Sequence, residues 1–355
     1  MTKKLLAALL SIILLFSVGC TGKTIINNNY IGSEAVNTDE VSSEASVSED
    51  SVASETITVK PDIDKNETSS SVSSEIVERN SEPVGTIIWG EQSEYYPYFY
   101  THLTDNQKSL YDRMFQAVVS LSTKEIFVAD AENYKKSDVS IAYMALSTDY
   151  PDIFWLDGKY TILAYKEGDV IREYYVRISY DRSYEQAMLQ SLELKEKVDE
   201  ILKQVKNMGV LETERFFHDY LCNNVEYSLE SNDDNYTAYG ALIKGKAVCE
   251  GYARSMLLLC RSAGINCTLV RGTADDTPHM WNVIEIYGKW YHLDVTWDDP
   301  IRENPGDTEP IYTYFNLYYS QIQKTHTPYI TLNNETLDQM TDSNYNYYLP
   351  ICSER

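Results

Sequence analysis

The spacing of apolar residues changes along the chain, and each spacing predicts a different element. Residues 104–121 have apolar side chains at the spacing of an amphipathic helix, with Thr104 as a cap. The stretch 141–180 predicts a helix end, a turn at Pro151 and several short strands between glycines. The helical spacing returns at 183–205 and again at 211–227. The pattern therefore predicts a domain that mixes helices and strands.

A further helix is predicted around KGKAVCEGYARSMLLLC, residues 244–260, with Cys249 in its first turn. Tyr252 and Met256 repeat at helical spacing, and Gly264 ends the pattern. The unpaired N–H groups and positive dipole end of a helix start favour a thiolate over a thiol. Cysteine is also a common buried residue without a special role. This stretch alone leaves a nucleophile and a buried filler equally open.

Three strands are predicted next, at residues 265–272, 279–287 and 290–297. The last two are joined by a hairpin turn at Gly288-Lys289. His279 is predicted to begin one strand, and Asp294 to lie on the next. A nucleophilic cysteine needs a base near its sulfur, and that base needs an acceptor that holds its tautomer and orientation. Cys249, His279 and Asp294 supply these three parts.

The register of this hairpin presents a difficulty. A two-residue turn at Gly288-Lys289 pairs Asp294 with Val283, which leaves Asp294 and His279 on one face of the sheet. The two residues would then lie roughly 13 Å apart along the strands. We therefore expect a bulge or a wider loop to close the gap.

The motifs GKAVCEGYA and HMWNVIEIYGKWYHLDVTWDDP, at their present spacing, resemble the core of the bacterial transglutaminase-like superfamily over roughly residues 215–300. The resemblance implies an α+β fold with a papain-like core, in which the nucleophile helix packs on an antiparallel sheet after an N-terminal α/β extension. It also implies a catalytic triad of Cys249, His279 and Asp294. Met280 stands where alanine is frequent in the family, and we expect it to alter pocket shape more than chemistry.

The family includes transglutaminases, peptidases, deglycosylating amidases and inactive members, so the resemblance indicates the nucleophile better than the substrate. We expect a thiol acyl-transfer enzyme acting on protein or peptide amides, including those of the cell wall, by hydrolysis or cross-linking. The alternative is a non-catalytic module that binds a cell-wall or host polymer. We expect no cofactor. We also expect no metal ion, because His218 and Cys222 stand four apart on a predicted helix but have no second pair of ligands to complete a metal site.

The N-terminal residues predict export and a lipid anchor. Lys3 and Lys4 precede an apolar stretch that is shorter than the roughly 20 residues of a spanning helix, which makes residues 1–20 a signal peptide. The ending SVGC resembles a bacterial lipobox, so we expect a lipid on Cys20 that anchors the protein to the membrane outside the cytoplasm. Plain secretion after cleavage nearby is the alternative.

Residues 21–85 are predicted to be a disordered acidic linker rich in Ser and Glu, since 31–88 contain no aromatic residue and no cysteine. Residues 31–82 carry thirteen acidic and three basic side chains, about ten of the net 24 negative charges. This charge argues against nucleic acid as a partner. We divide the remainder into an N-terminal α/β region, 86–205, and a transglutaminase-like domain, 206–355. No linker-like stretch separates them, so we expect them to pack together.

Other side chains have more than one interpretation. Cys260 and Cys267 could form a disulfide in an exported protein or remain buried thiols. Trp281, Trp290 and Trp297 could exclude water from a site, which would favour an amine as acyl acceptor, although core and strand packing is their more frequent role. His292 is interpreted as a packed or exposed histidine, because it has no nucleophile of its own.

Overall fold

The computed structural model describes the backbone of residues 21–30 and, in full, residues 97–299, 311–328 and 349–354. Its helices are α1 (Asp105–Val119), α2 (Lys136–Asp149), α3 (Tyr184–Val205), α4 (Val210–Asn224), α5 (Cys249–Ser262) and α6 (Tyr319–Ile322). Its strands are β1 (Thr21–Tyr30), β2 (Ile126–Asp130), β3 (Leu156–Glu167), β4 (Val170–Tyr180), β5 (Glu226–Tyr227), β6 (Lys246–Ala247), β7 (Cys267–Ala274), β8 (Thr277–Ile286), β9 (Lys289–Leu293) and β10 (His326–Pro328).

The predicted signal peptide, including Cys20, lies outside the described residues. Of the predicted linker, 21–85, the structure describes residues 21–30 as strand β1, which pairs antiparallel with β3. Among the described residues, no helix combines the length and the apolar character needed to cross a membrane.

Helices α1 and α3 begin where the sequence predicts them. The side chain of Thr104 accepts a hydrogen bond from the backbone N–H of Gln107, and the Gln107 side chain accepts one from Thr104 N–H. Ser183 and Gln186 form the same reciprocal cap at the start of α3. Each cap satisfies two of the N–H groups that a helix start leaves unpaired.

The first sheet has the strand order β1-β3-β4-β2, and all its pairs are antiparallel. Gly168 takes a φ of +63° in the turn between β3 and β4, a conformation that glycine adopts without strain. Helices α1 and α2 contact this region through several hydrogen bonds. Trp155 Nε1 donates to Val118 O at 2.9 Å, and the hydroxyls of Ser140 and Tyr160 bond at 2.9 Å.

The second sheet has the order β10-β7-β8-β9 and is also antiparallel. Helix α5 packs on β7 and β8, and Asn282 Nδ2 on β8 donates to the carbonyl of Ala253 on α5 at 2.9 Å. Gly264, with a φ of +76°, ends the helix as predicted. A helix that begins at Cys249 and lies on an antiparallel sheet confirms the predicted α+β fold.

The predicted turn between β8 and β9 is wrong by one residue. The turn residues are Tyr287 and Gly288, with φ values of 53° and 77°, so Ile286 pairs with Lys289. Two successive positive φ values match the type I′ geometry that two-residue hairpins prefer. Tyrosine rarely takes this conformation, so the sequence pointed instead to a turn beginning at Gly288.

The corrected register removes the gap expected between His279 and Asp294. Val283 pairs with His292, and the β8–β9 ladder runs without a bulge. Extending it places Asp294 opposite Trp281, two residues from His279 rather than four. His279 is the third residue of β8, not its first, and β9 ends at Leu293 just before Asp294.

The regions 97–205 and 206–299 touch through α2 and α5. Arg254 Nη1 donates to Ser147 O at 2.6 Å, and Arg261 Nη1 donates to Asp149 O. Buried residues of both regions belong to one hydrophobic core. Helix α5, which carries Cys249, is therefore held by contacts with both regions.

Candidate active site

Cys249 is the first residue of α5, as the sequence predicts. Strand β6, which pairs parallel with β5, leads directly into this helix. Val248 is its N-cap and provides no side-chain acceptor, so the first-turn N–H groups have no side-chain cap. The cysteine is half-buried. A half-buried thiol at an uncapped helix start lies in a field that favours negative charge on sulfur.

His279 lies between Cys249 and Asp294. Its Nε2 lies 2.7 Å from Oδ2 of Asp294, and its side chain also hydrogen-bonds Cys249. Because Nε2 is committed to Asp294, the contact with Cys249 is assigned to Nδ1. The structure thus brings together all three residues that the sequence singled out.

His279 and Asp294 change each other's protonation. Burial would lower the pKa of His279, but Asp294 and Cys249 outweigh it and raise that pKa to about 10. Burial would raise the pKa of Asp294, but His279 and His326 lower it to about 2. At neutral pH the pair is therefore an imidazolium and a carboxylate.

Asp294 is held by four donors. Its Oδ1 accepts the backbone N–H groups of Thr296 at 3.0 Å and Trp297 at 3.3 Å. Its Oδ2 faces Nε2 of His279 at 2.7 Å and Nε2 of His326 at 2.9 Å. These bonds fix the carboxylate just after β9, where the chain turns.

His326 is a site residue that the sequence analysis missed. It lies on β10, and its side chain is fully buried. Among the described residues, ligand atoms of His279, Asp294 and His326 form a group within 4.8 Å of one another that could hold a metal ion. Both Nε2 atoms are at hydrogen-bond distance from one carboxylate oxygen, so protons alone account for this arrangement.

Tyr227 also lies beside the site. Strand β5 pairs it with Ala247, two residues before Cys249, and its ring centroid is 6.4 Å from that of Tyr252. Burial and the charges of Cys249, Tyr236 and Asp294 raise the pKa of Tyr227 to about 12. At neutral pH its hydroxyl is therefore protonated and can donate a hydrogen bond.

His292 is a packed histidine, as interpreted from the sequence. Burial and the neighbouring His326 lower its pKa to about 3, so its Nδ1 accepts the indole N–H of Trp281 at 3.0 Å. The Trp281 ring is buried and stacks on His279 with centroids 6.0 Å apart. Trp297 contacts the His326 ring at 4.7 Å. Both tryptophans shield the hydrogen-bonded groups from water.

His218 and Cys222 have different partners. The two ring nitrogens of His218 lie 3.0 Å from Asp219 and 3.3 Å from Asp298. The sulfur of Cys222 lies 3.9 Å from the carbonyl oxygen of Val295. The pair ties α4 to the chain that follows β9.

Cys260 and Cys267 are buried free thiols in contact with each other. Burial and the neighbouring Cys267 raise the pKa of Cys260 well above its usual value. Protonated, buried thiols react slowly with alkylating reagents. Cys249 is therefore distinguished from both by its exposure and by its histidine.

Residues 195–295 match the family model described as the transglutaminase-like superfamily. The resemblance predicted from the sequence is thereby confirmed over this segment, which includes Cys249, His279 and Asp294 but not His326. Members of the superfamily are often cysteine peptidases or transglutaminases.

Two curated relatives are kyphoscoliosis peptidases. The Mus musculus protein is 27% identical over 120 residues, which is 29% of this chain and 18% of that protein. The Homo sapiens protein is 25% identical over 127 residues, or 31% of this chain and 18% of that protein. The match thus spans less than a fifth of either relative.

Two solved structures are similar over part of the chain. A crystal structure of a TGase has 12% identity and a TM-score of 0.29, covering 40% of this chain and 46% of that one. A putative cysteine protease from Cytophaga hutchinsonii has 16% identity and a TM-score of 0.25, covering 39% and 57%.

Proposed function

We propose that this protein is a surface-anchored thiol acyl-transfer enzyme that acts on protein or peptide amides through Cys249, His279 and Asp294. The observation that carries the proposal is the continuous hydrogen-bonded series from the sulfur through His279 to a buried carboxylate. A nucleophile, a base and a group that orients the base are the parts that covalent acyl transfer needs.

In the proposed reaction the thiolate of Cys249 attacks the amide carbonyl carbon. A C–S bond forms, and the carbonyl π electrons move to oxygen, which becomes an oxyanion. The backbone N–H of Cys249, at the start of α5, stabilises that charge. Our candidate for the second donor is the hydroxyl of Tyr227, which lies in the electrostatic field of Cys249.

His279 then donates its Nδ1 proton to the departing amine nitrogen as the C–N bond breaks, which leaves a thioester on Cys249. Asp294 holds the imidazole in place and stabilises its positive charge before the transfer. Water or a primary amine next attacks the thioester carbonyl carbon while His279 removes its proton, and the C–S bond breaks to release the thiolate of Cys249. Water yields hydrolysis, whereas an amine yields a new amide bond.

The anchoring belongs to the same proposal. The signal-peptide pattern and the SVGC ending support a lipid on Cys20, with the catalytic segment held outside the cytoplasm. A Cys20→Ala variant should leave the membrane fraction. Retention of that variant in the membrane would contradict the anchor and leave the catalytic proposal untouched.

Limiting iodoacetamide tests the nucleophile. We expect mass spectrometry of the purified full chain at neutral pH to find the label on Cys249 ahead of the buried cysteines (Cys222, Cys260, Cys267 and Cys352). His279→Ala should slow labelling by about 100-fold or more. The matched control is His102→Ala, because His102 bonds the carbonyl of Tyr98 rather than the triad.

Slow labelling of Cys249 that His279→Ala leaves unchanged would favour the non-catalytic binding module. If Cys249 is reactive, p-nitrophenyl acetate provides an acyl donor that needs no knowledge of the natural substrate. Adding a primary amine then separates the two outcomes, since only a transferase converts a large share of the acyl-enzyme to an amide.

A further inference from the structure

His326 reaches the site from outside the family-matched segment. Strand β10 is an edge of the second sheet, and His326 on it pairs with Ala274 of β7. The backbone N–H of Asp275 donates to Thr325 O at 2.9 Å and holds the start of this strand. The ring is fully buried between Trp281 and Trp297, with centroid distances of 4.9 Å and 4.7 Å.

The hydrogen bonds of His326 define its tautomer. Oδ2 of Asp294 belongs to an ionised carboxylate and can only accept, so Nε2 of His326, 2.9 Å away, carries a proton. Oγ1 of Thr325 lies 2.8 Å from Nδ1, so both ring nitrogens of His326 have a hydrogen-bond partner.

We propose that His326 is a positioning residue of the triad, which donates its Nε2 proton to the Asp294 oxygen that also holds His279. The proposal rests on the function proposed above. By donating a hydrogen bond to Oδ2, His326 keeps this oxygen in line with His279 and stabilises part of the negative charge of the Asp294 carboxylate. The carboxylate then orients the imidazolium without binding its proton so strongly that proton transfers through His279, in forming and in resolving the thioester, are slowed.

Because His279 and His326 share Oδ2 of Asp294, removing His326 should have a specific effect on the pKa of His279. Asp294 stays anchored through Oδ1 by the backbone of Thr296 and Trp297, so its position changes little. Its charge then acts on His279 alone and holds that proton to higher pH. Other titratable groups face Asp294, His279 or His326, namely Cys249 on α5, Tyr227 on β5, His292 on β9, and Asp298 and Tyr314 in the chain after β9, and all of them remain in the variant.

The test compares His326→Leu, which fills the pocket without a donor, with His326→Gln, whose amide N–H can replace Nε2–H. The assays are p-nitrophenyl acetate turnover from pH 5 to 11 and iodoacetamide labelling of Cys249. We expect His326→Leu to lower kcat by about 10–100-fold with little change in KM. The alkaline limb of the pH–activity profile should move to higher pH. His326→Gln should restore most of kcat and return the limb toward that of the wild type.

A purely structural role would lower activity only in proportion to the folded fraction measured by circular dichroism. The proposal would therefore be overturned if the alkaline limb of the His326→Leu profile stayed at the wild-type pH or moved to lower pH. Imidazole nitrogen NMR of the wild-type protein adds a test that needs no variant, since finding the Nδ1–H tautomer of His326 would also overturn it. Failure of the proposed function is recognised separately, because Cys249 of the wild type would then label no faster than a model thiol.

Discussion

His279 and Asp294 are joined by a hydrogen bond of 2.7 Å, although β9 ends one residue before Asp294. The chain turns at that point because Oδ1 of Asp294 accepts the N–H of Thr296. The same turn directs Oδ2 back toward β8. One carboxylate thus ends a strand and orients the histidine that faces Cys249.

We predict that Asp294→Asn disables the site even though asparagine has nearly the same shape. Two histidines donate to one side of the group and two backbone N–H groups to the other, so the amide NH₂ must face a donor in either orientation. Without the negative charge, the pKa of His279 should fall several units from about 10. An NMR titration of His279 that still gave a pKa near 10 would contradict this account.

Tyr227→Phe should distinguish two possible roles of Tyr227, stabilising the oxyanion and packing around the thiol of Cys249. If the hydroxyl stabilises the oxyanion, p-nitrophenyl acetate turnover should fall by about 100-fold, as expected for the loss of one oxyanion donor. Iodoacetamide labelling of Cys249 should change little, because alkylation forms no oxyanion. Tyr287→Phe is the matched control, since Tyr287 is 77% exposed at the tip of the β8–β9 hairpin. Equal losses in the two assays would assign Tyr227 to packing around the thiol.

Helices α1, α3, α4 and α5 and three strands of the second sheet, β7 to β9, could be predicted from the sequence because their signals are local. The Thr104 and Ser183 caps and the glycine end of α5 each lie within a few residues of the element they bound. Cys249, His279 and Asp294 were predicted for a different reason, because the separated motifs that contain them resemble those of the transglutaminase-like superfamily. The turn at Tyr287 was missed, because the left-handed conformation of a tyrosine is fixed by the strands on both sides rather than by its own preference.

His326 and Tyr227 had no comparable signal. His326 follows Asp294 by more than thirty residues and lies on a strand of three residues, too short for an apolar period. Tyr227 is one of 30 tyrosines, and its place beside Cys249 depends on a parallel pair of two-residue strands. Both positions follow from long-range packing, which spacing along the chain does not encode. Among the five histidines of the chain, only partner geometry distinguishes His326.

Gly272→Ala should distort the candidate active site by displacing strand β10. Gly272 lies on β7 between His279 and Pro328, and a Cβ there would come within 2.3 Å of Thr327 O and 2.7 Å of the Trp281 ring. Relieving this contact must move β10, which carries His326 to Asp294. We expect a loss of about 2 kcal/mol or more in the free energy of unfolding, together with an altered pH profile.

Urea unfolding and p-nitrophenyl acetate turnover check this prediction. Gly209→Ala is the comparison variant, because a Cβ at Gly209 would lie 4.0 Å from the Glu212 side chain, an ordinary van der Waals distance. It should cost no more than about 1 kcal/mol, the usual range for an N-cap change. Unchanged turnover in Gly272→Ala would show that β10 can shift without disturbing Asp294.

Glu214 should make the protein less stable as the pH rises toward neutrality. Burial raises the pKa of this α4 carboxyl to about 7, although the hydrogen bond from Asn316 and the proximity of His218 oppose the rise. The folded protein therefore keeps a proton that the unfolded chain releases near its ordinary pKa of 4.5. The free energy of unfolding should fall by about 2 kcal/mol between pH 4.5 and 7 from this group alone.

Glu214→Gln should remove that part of the pH dependence, because the amide is neutral throughout and can still accept from Asn316, which donates at 2.9 Å to Oε2 in the wild type. Urea denaturation at pH 5 and pH 8 measures the difference. The control is Glu196→Gln on the exposed face of α3, which should leave the dependence intact. If both variants keep the wild-type dependence, the proton held by the folded state belongs to another buried carboxyl. The first to substitute is then Asp149, whose pKa burial raises to about 6 against the opposing effects of Arg261 and its hydrogen-bond donors.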